Sequence, residues 1–521
     1  MNLHTNLELT SMTLSRSELE AGLSLIRAFY PEGNVTVREP GKSEISPLGA
    51  AKEEIAATIR VDVHYPEHPQ GIRAEFSDQR ERADSSSQPR RFELKLDAEE
   101  IKPILDHPKI GKETERKVLL KHALFHLLTQ ATGHTPPWGI LTGIRPSKIL
   151  HHLNDLGLKE PLENKVLEDY CLIREDKIRL LQEVVSIQRP YLQEIMDHPK
   201  KIALYVGIPF CPTRCSYCSF PAYSLQQGRE PLQKYLKGLY EEIRVTGAWM
   251  KETKRTAGSL YLGGGTPTIL TSAEISDLLQ WIREHIPAEK NMEFSVEAGR
   301  PDTLSREKLL VLREQGVNRL SINPQTMHNK TLRRIGRAHT VEDILQMYKL
   351  AREISDGVIN MDLILGLPGE TAQDVQETMA QIGKLRPDNL TIHALAIKRG
   401  SKEHEMGLAQ NLDKELETMQ EIAFEQARSF GLYPYYLYRQ KHIAGNLENI
   451  GFAVPGAEGR YNIGIMEERQ SVIGIGAGAS SKVVNPQDFS LTNMQHPSNW
   501  QVYLKRWPEI HQKRVKAFLT L

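Results

Sequence analysis

Cys211, Cys215 and Cys218 are spaced C-x3-C-x2-C, directly after the apolar run Ile-Ala-Leu-Tyr-Val-Gly-Ile. They are three of only four cysteines in 521 residues. A fold that carries them must bring three sulfurs to one centre in a short loop. Thiolates this close are soft ligands and suggest a metal, with an iron–sulfur cluster as the usual occupant. The count narrows the reading further. A closed structural zinc site takes four protein ligands, and a ferredoxin-type cluster takes four cysteines. The fourth cysteine, Cys171, lies well upstream in a charged, helical stretch. Three thiolates on a four-iron cube leave one iron open to a small molecule. Redox thiols, or a zinc ion completed by a distant histidine, are the other readings of the same spacing.

The length suggests about three domains. Hydrophobic residues make up 40 %, enough for sizeable cores. Lys+Arg and Asp+Glu are both 66, and this balance argues against a nucleic-acid binder. The first residues hold no apolar h-region, so no signal peptide is expected. No run of 18 apolar residues exists, so no membrane partner is expected either. Few cysteines, gathered as ligands, fit a reducing, cytoplasmic setting.

Residues 1–195 read as an N-terminal α+β domain of unassigned role. Residues 57–65 and 91–96 alternate apolar and polar as half-buried strands do. Residues 77–90 between them read as an exposed loop. Residues 114–132 carry helical spacing, with Gly133 as the stop. The turn-rich segment from Pro136 to Pro146 holds Arg145, with Lys148 just beyond it. It reads either as an anion site or as a packed connector, and the connector is favoured. Helices fill 162–194.

Residues 200–430 alternate strands and helices. Strands are predicted at 202–208, 259–262, 292–297, 319–323, 358–365 and 390–397. Helices are predicted between them, for example at 231–251, 272–285 and 341–354. Such alternation implies a parallel sheet with right-handed crossovers. The fold class is therefore α/β, a partial (β/α)6 TIM-like barrel with functional residues at the C-terminal strand ends. The cysteine loop follows the first strand, at that mouth. Residues 431–521 read as a C-terminal α+β extension, either a lid over the mouth or an appendage.

Other features fall at the same mouth. Gly264, Gly265 and Thr266 lie in Gly-Gly-Gly-Thr-Pro after the second strand, where small residues let backbone approach a ligand. Glu297 ends the third strand, and Gln325 follows the fourth in Ile-Asn-Pro-Gln. Arg337 lies in Ile-Gly-Arg-Ala-His. Asp362 sits in an apolar strand, where a carboxylate must be paired or bind something.

The cysteine spacing resembles that of the radical S-adenosylmethionine (SAM) superfamily. Together with Tyr205-x-x-Ile-Pro-Phe-Cys, Gly-Gly-Gly-Thr-Pro, Val-Glu, Pro-Gln, Gly-Arg and Asp-Leu-Ile-x-Gly-Leu-Pro, it resembles the oxygen-independent coproporphyrinogen III dehydrogenase family. The long N-terminal region and Trp138–Pro146 are similar to its HemZ-type branch. The resemblance implies a [4Fe-4S] cluster on Cys211, Cys215 and Cys218, whose open iron chelates SAM. It implies SAM contacts from Tyr205, Gly264, Gly265, Thr266, Glu297, Gln325, Arg337 and Asp362. It implies a radical SAM oxidoreductase of haem biosynthesis that converts coproporphyrinogen III to protoporphyrinogen IX. A porphyrinogen substrate and a low-potential ferredoxin- or flavodoxin-type electron donor follow. The alternative within the resemblance is a haem-binding chaperone without porphyrinogen turnover. The dehydrogenases carry a further cysteine where this chain has Phe220 and a histidine where it has Gly207. The chaperones carry His-Asn where this chain has Tyr461-Asn462. Arg214, Arg300, Lys398 and Arg399 are the cations available near the mouth for substrate propionates.

Overall fold

The computed structural model describes residues 5–8, 16–29, 57–60, 72–78, 90–96, 115–143, 145–218, 222–225, 228–395, 413–440 and 447–519. The chain divides into two compact units, Met1–Gln182 and Glu183–Leu521.

In the first unit four strands form a sheet in chain order: β1 (Thr5–Glu8), β2 (Ala57–Arg60), β3 (Ile72–Asp78) and β4 (Arg90–Leu96). β3 corrects the sequence reading. Ser77, Asp78 and Arg90 are strand residues, paired across β3 and β4 with Ser77 opposite Arg91 and Asp78 opposite Arg90. The alternation Ile-Arg-Ala-Glu-Phe-Ser at 72–77 carries the strand period of two. The helices are α1 (Arg16–Phe29), α2 (Glu115–Thr132), α3 (Ser147–Asp155) and the short α4 (Leu162–Lys165). Gly133 ends α2 with φ +68°, a left-handed conformation that favours glycine. Trp138 is almost fully buried. A side chain at Gly139 would meet the Cys171 carbonyl oxygen at 2.0 Å. The segment is thus a packed connector. Cys171 is itself buried, and its carbonyl accepts the Ile140 N–H at 2.9 Å. The division between units falls within the next helix, α5 (Glu175–Asp197).

The second unit is built on a sheet of eleven strands. Its centre is six parallel strands adjacent in chain order: β5 (Lys201–Ile208), β8 (Thr256–Gly264), β9 (Ala288–Glu297), β10 (Arg319–Ser321), β11 (Val358–Leu365) and β12 (Asn389–Ala394). The two-residue strands β6 (Phe210–Cys211) and β7 (Tyr223–Ser224) pair apart from this sheet. Helices α6 (Glu230–Glu252), α7 (Ser272–His285), α8 (Arg306–Glu314), α9 (Asn329–Arg334), α10 (Val341–Ile354) and α11 (Ala372–Leu385) fill the crossovers. The expected parallel α/β partial barrel is the observed one. Capping boxes fix three of the helix starts. Thr271, Thr340 and Thr371 each accept from the backbone three residues on, and Glu274, Asp343 and Asp374 answer.

The two faces of β5 differ. Ile202, Leu204, Val206 and Ile208 pack with Leu232, Leu236 and Leu239 of α6 and with Leu278 and Leu279 of α7. Each such side chain contributes roughly 1.5–3 kcal/mol when fully buried. Ala203 and Tyr205 face the other way, into the barrel. There Tyr205 stacks on Tyr261 at 6.1 Å, and Tyr261 on Tyr461 at 4.9 Å.

The residues after 430 extend this same sheet. Helix α12 (Asp413–Ser429) leads to β13 (Tyr433–Tyr438) and β14 (Asn449–Ala453), which add to the β12 edge. Helix α13 (Arg460–Glu467) leads to β15 (Val472–Ile475), which runs parallel to β5 on the other edge. β16 (Ser480–Val484) and β17 (Leu491–Gln495) follow, then α14 (Trp500–Leu519). The boundary expected at 430 therefore falls inside one continuous sheet. A buried charge cluster holds the turn after β15. Glu242 of α6 accepts the Gly476 N–H at 3.1 Å and the Tyr503 hydroxyl at 2.7 Å. His496 Nε2 lies 3.0 Å and Arg514 Nη1 3.6 Å from its other oxygen. A carboxylate this deep is tolerated only with such partners.

Candidate functional site

The loop after β5 is seated by backbone. Gly265 N–H donates to Ile208 O, and Thr266 N–H to Phe210 O, both at 2.8 Å. Gly264 has φ +119°. A Cβ on Gly265 would stand 2.6 Å from Phe210 O and 2.8 Å from Cys211 Sγ. The glycines thus let one strand end close on the first cysteine, and Thr266 Oγ1 donates to its sulfur at 3.4 Å. Phe210 is buried edge-on against Tyr235 at 5.6 Å. Cys218 N–H donates to Cys215 O at 3.2 Å, and Ser216 N–H to Ile335 O at 3.1 Å.

Two arginines brace this loop, Arg300 from beyond the end of β9 and Arg337 from the turn between α9 and α10. Arg337 donates to Gly299 O at 2.6 Å, to Asn323 O at 3.0 Å and to the Tyr217 hydroxyl at 3.1 Å. Its Nε is buried with no partner among the described residues. Arg300 donates to Thr213 Oγ1 at 2.8 Å and reaches Cys215 Sγ at 3.6 Å. It is 4 % exposed and paired with Asp302, so it is not a free cation awaiting a propionate, as the sequence suggested.

One cavity of about 350 Å³ opens at this mouth. Cys211, Cys215, Cys218, Gly264, Gly265, Thr266, Glu297, Gln325, Arg337 and Asp362 all line it. Tyr205 does not. It lies in the aromatic stack inside the barrel, three residues before the end of β5. Arg214 is on the cavity wall. Lys398, Arg399 and Phe220 lie outside the described residues. The cavity also takes in Tyr217, Asn323, His393, Tyr438 and Gln440, which the sequence reading did not single out. His393 was findable. It lies within the strand predicted at 390–397 and faces inward one residue before the end of β12.

Glu297 and Asp362 form the cavity's inner end, where a second, polar cavity of about 280 Å³ adjoins it. Burial, then the nearby charge of Asp362, pushes the Glu297 carboxyl up to about 8, against a smaller pull from the Gly264 N–H. Burial also acts to raise Asp362. His393, with Nε2 3.9 Å away, and Asn360, donating at 2.7 Å, outweigh it and hold Asp362 below the usual range. One carboxyl is therefore kept protonated beside one kept ionised near neutral pH.

Among the described residues, no three His, Cys, Asp or Glu side chains converge tightly enough to hold a single metal ion. The three cysteines line one cavity with carboxyl, amide and guanidinium groups. That donor set fits a polynuclear thiolate cluster with a zwitterionic small molecule beside it.

Residues 205–382 match the radical SAM superfamily model. The chain is 42 % identical over 406 residues to the oxygen-independent coproporphyrinogen-III oxidase-like protein HemZ of Bacillus subtilis, covering 77 % of this chain and 80 % of that one. This chain belongs to that radical SAM family. The family's cofactors are a [4Fe-4S] cluster and SAM. The chain is also 31 % identical to the haem chaperone HemW of B. subtilis, over 56 % of this chain and 74 % of that one. Among solved structures it is similar to the coproporphyrinogen III oxidase HemN of Escherichia coli, at 24 % identity and TM-score 0.49, over 62 % and 72 % of the two chains. A role connected with haem is common to these relatives' names. Among the described residues, no helix is long and apolar enough to cross a membrane.

Proposed function

We propose that this protein is a cytosolic radical SAM enzyme that oxidatively decarboxylates two propionates of coproporphyrinogen III to vinyls, giving protoporphyrinogen IX. The observation that carries this reading is the single cavity that gathers the three cysteines with seven of the eight SAM contacts expected from sequence. The similarity to HemZ across most of both chains supports the substrate class.

When bound, the cluster and SAM supply hydrogen-atom abstraction. The chain's own residues do the rest. Cys211, Cys215 and Cys218 hold the cluster. Gly264, Gly265 and Thr266 bring backbone close to the SAM amino group. Glu297, protonated near neutral pH, donates to and accepts from ribose hydroxyls, while Gln325, Arg337 and ionised Asp362 orient the remainder. Arg214, on the cavity wall, takes a propionate carboxylate. The strand ends and the cysteine loop exclude water from the reacting carbon. For each vinyl formed, the propionate β-carbon would lose one hydrogen atom to the radical that the bound cofactors supply, and CO2 would leave as one electron passes to a one-electron acceptor. A low-potential ferredoxin- or flavodoxin-type donor would supply the electron that this chemistry needs.

A second reading, a haem-binding chaperone, is favoured by Phe220 at the position of the dehydrogenases' extra cysteine and by the similarity to HemW. An anaerobic assay of reduced, cluster-loaded protein with SAM and coproporphyrinogen III separates the two. Divinyl product with 5′-deoxyadenosine is the expected result. Stoichiometric haem binding with no product under any donor would establish the chaperone.

A further inference from the structure

Arg300, itself buried, links Asp302 and the buried His339 to a cysteine sulfur. His339, with a fully buried side chain, presents Nδ1 to Asp302 Oδ1 at 3.1 Å. Asp302 is held well below the usual carboxylate range: burial opposes this, but His339 and Arg300 outweigh it. It therefore only accepts, and His339 donates. Asp302 grips Arg300 through both oxygens, from Nε at 3.2 Å and from Nη2 at 3.3 Å. Arg300 Nη1 points at Cys215 Sγ from 3.6 Å, and its two Nη atoms also reach Thr213 O at 3.5 Å and Thr213 Oγ1 at 2.8 Å. The guanidinium is thus fully engaged between a carboxylate and the cysteine loop.

We propose that Arg300 is a positioning residue that sets the reduction potential of the cluster, by donating a charge-assisted hydrogen bond to the Cys215 thiolate under the control of Asp302. The proposal rests on the reading of Cys215 as a cluster ligand. Potentials of iron–sulfur clusters follow net charge, hydrogen bonds to sulfur and solvent exposure. Reduction adds one negative charge to the cluster. A cation bonded to a ligand sulfur stabilises the reduced form, and a carboxylate behind that cation tempers the effect. The two residues therefore act in opposite directions. A loop anchor without electrostatic consequence would not show this antisymmetry.

The test is an anaerobic redox titration of the reconstituted full-length protein, followed by the electron paramagnetic resonance of the reduced cluster, with iron counted per chain. Arg300→Gln should lower the ratio of reduced to oxidised cluster at a fixed solution potential by about tenfold, which is about 59 mV for one electron. Asp302→Asn should raise that ratio, and Arg300→Lys should lie between Arg300→Gln and wild type. Wild-type potentials in both Arg300→Gln and Asp302→Asn, or shifts of the same sign, would overturn the proposal. If Arg300→Gln fails to hold iron, Asp302→Asn decides: a raised ratio supports the proposal and an unchanged one overturns it. Wild-type protein that binds no four-iron cluster would overturn the cluster reading itself, and this proposal with it.

Discussion

The Gln325 backbone N–H donates to Asp362 O at 2.9 Å, although Gln325 holds φ +68°. This bond, with the return bond from Ile364 N–H to Gln325 O at 3.0 Å, carries a strand-like bridge past the end of β10. It places the Gln325 side chain on the cavity wall beside Asp362. A left-handed conformation costs an L-residue roughly 1–2 kcal/mol, and such strain gathers at ligand sites. Gln325→Gly relieves it and Gln325→Ala does not. The Gly variant should melt higher than the Ala variant, by about 1 kcal/mol in stability, while both bind SAM equally weakly. Calorimetry with SAM titrations checks both halves, and equal melting would refute the strain.

Gly265 leaves no room for a Cβ beside Cys211. Gly265→Ala should impair cluster assembly as severely as Cys211→Ala, although no ligand is removed. Cys171→Ala, in a buried position of the other unit, should keep full iron content. Iron analysis and visible absorption after anaerobic reconstitution read all three. A cluster lost in Cys171→Ala would sink the three-ligand model.

Glu297 makes the SAM-free protein pH-dependent. Its carboxyl moves from 4.5 up to about 8 on folding. Between these values the folded state holds a proton that the unfolded state has lost. The stability gained is full below about pH 4.5 and falls as pH rises through about 8. Glu297→Gln removes the titration. Its melting temperature should decline less than that of wild type between pH 5 and pH 9. Parallel curves for the two proteins would contradict the assignment. Asp362→Ala, which removes a hydrogen-bonded charge, should weaken SAM binding by about 1.5–3 kcal/mol, or roughly 10- to 150-fold.

Arg214 lies on the cavity wall and is the proposed contact for a substrate carboxylate. Arg214→Ala should raise the Kd for porphyrinogen by about tenfold and leave SAM cleavage under dithionite within twofold of wild type, the loss of one charged hydrogen bond. Equal losses in both would place Arg214 with the SAM contacts instead. Phe220→Cys, assayed alongside, tests whether the dehydrogenases' extra cysteine is needed for the divinyl product.

Much of the barrel was readable because local signals agree. Thr271 with Glu274 and Thr340 with Asp343 announce their helices, and residues 272–285 and 341–354 are helical as expected. Glu297 was legible as a cavity-lining residue because it ends its strand. Tyr205 is set back from the cavity wall because depth matters as well as facing. It points inward, but three residues before the strand end is about 10 Å down the barrel. Tyr438 reaches the cavity through the pairing of β13 with β14 and of β14 with β12, which is non-local and leaves no periodic trace. Arg300 looked like a surface cation because its partners, Thr213 and Cys215, come from a loop that only the fold brings back to it.

β5, the strand that leads into the cysteines, has β8 on one side and β15 on the other, with Ala203 opposite Val472. A growing chain makes the first partner soon and the second only after the rest of the barrel. Until residues 472–475 emerge from the ribosome, the edge of β5 is bare and the turn that Tyr235 clasps through Gly207 and Ala477 has not closed. Chains that stop before β15 would display their three thiols on an unsupported strand, ready for oxidation and edge-to-edge aggregation.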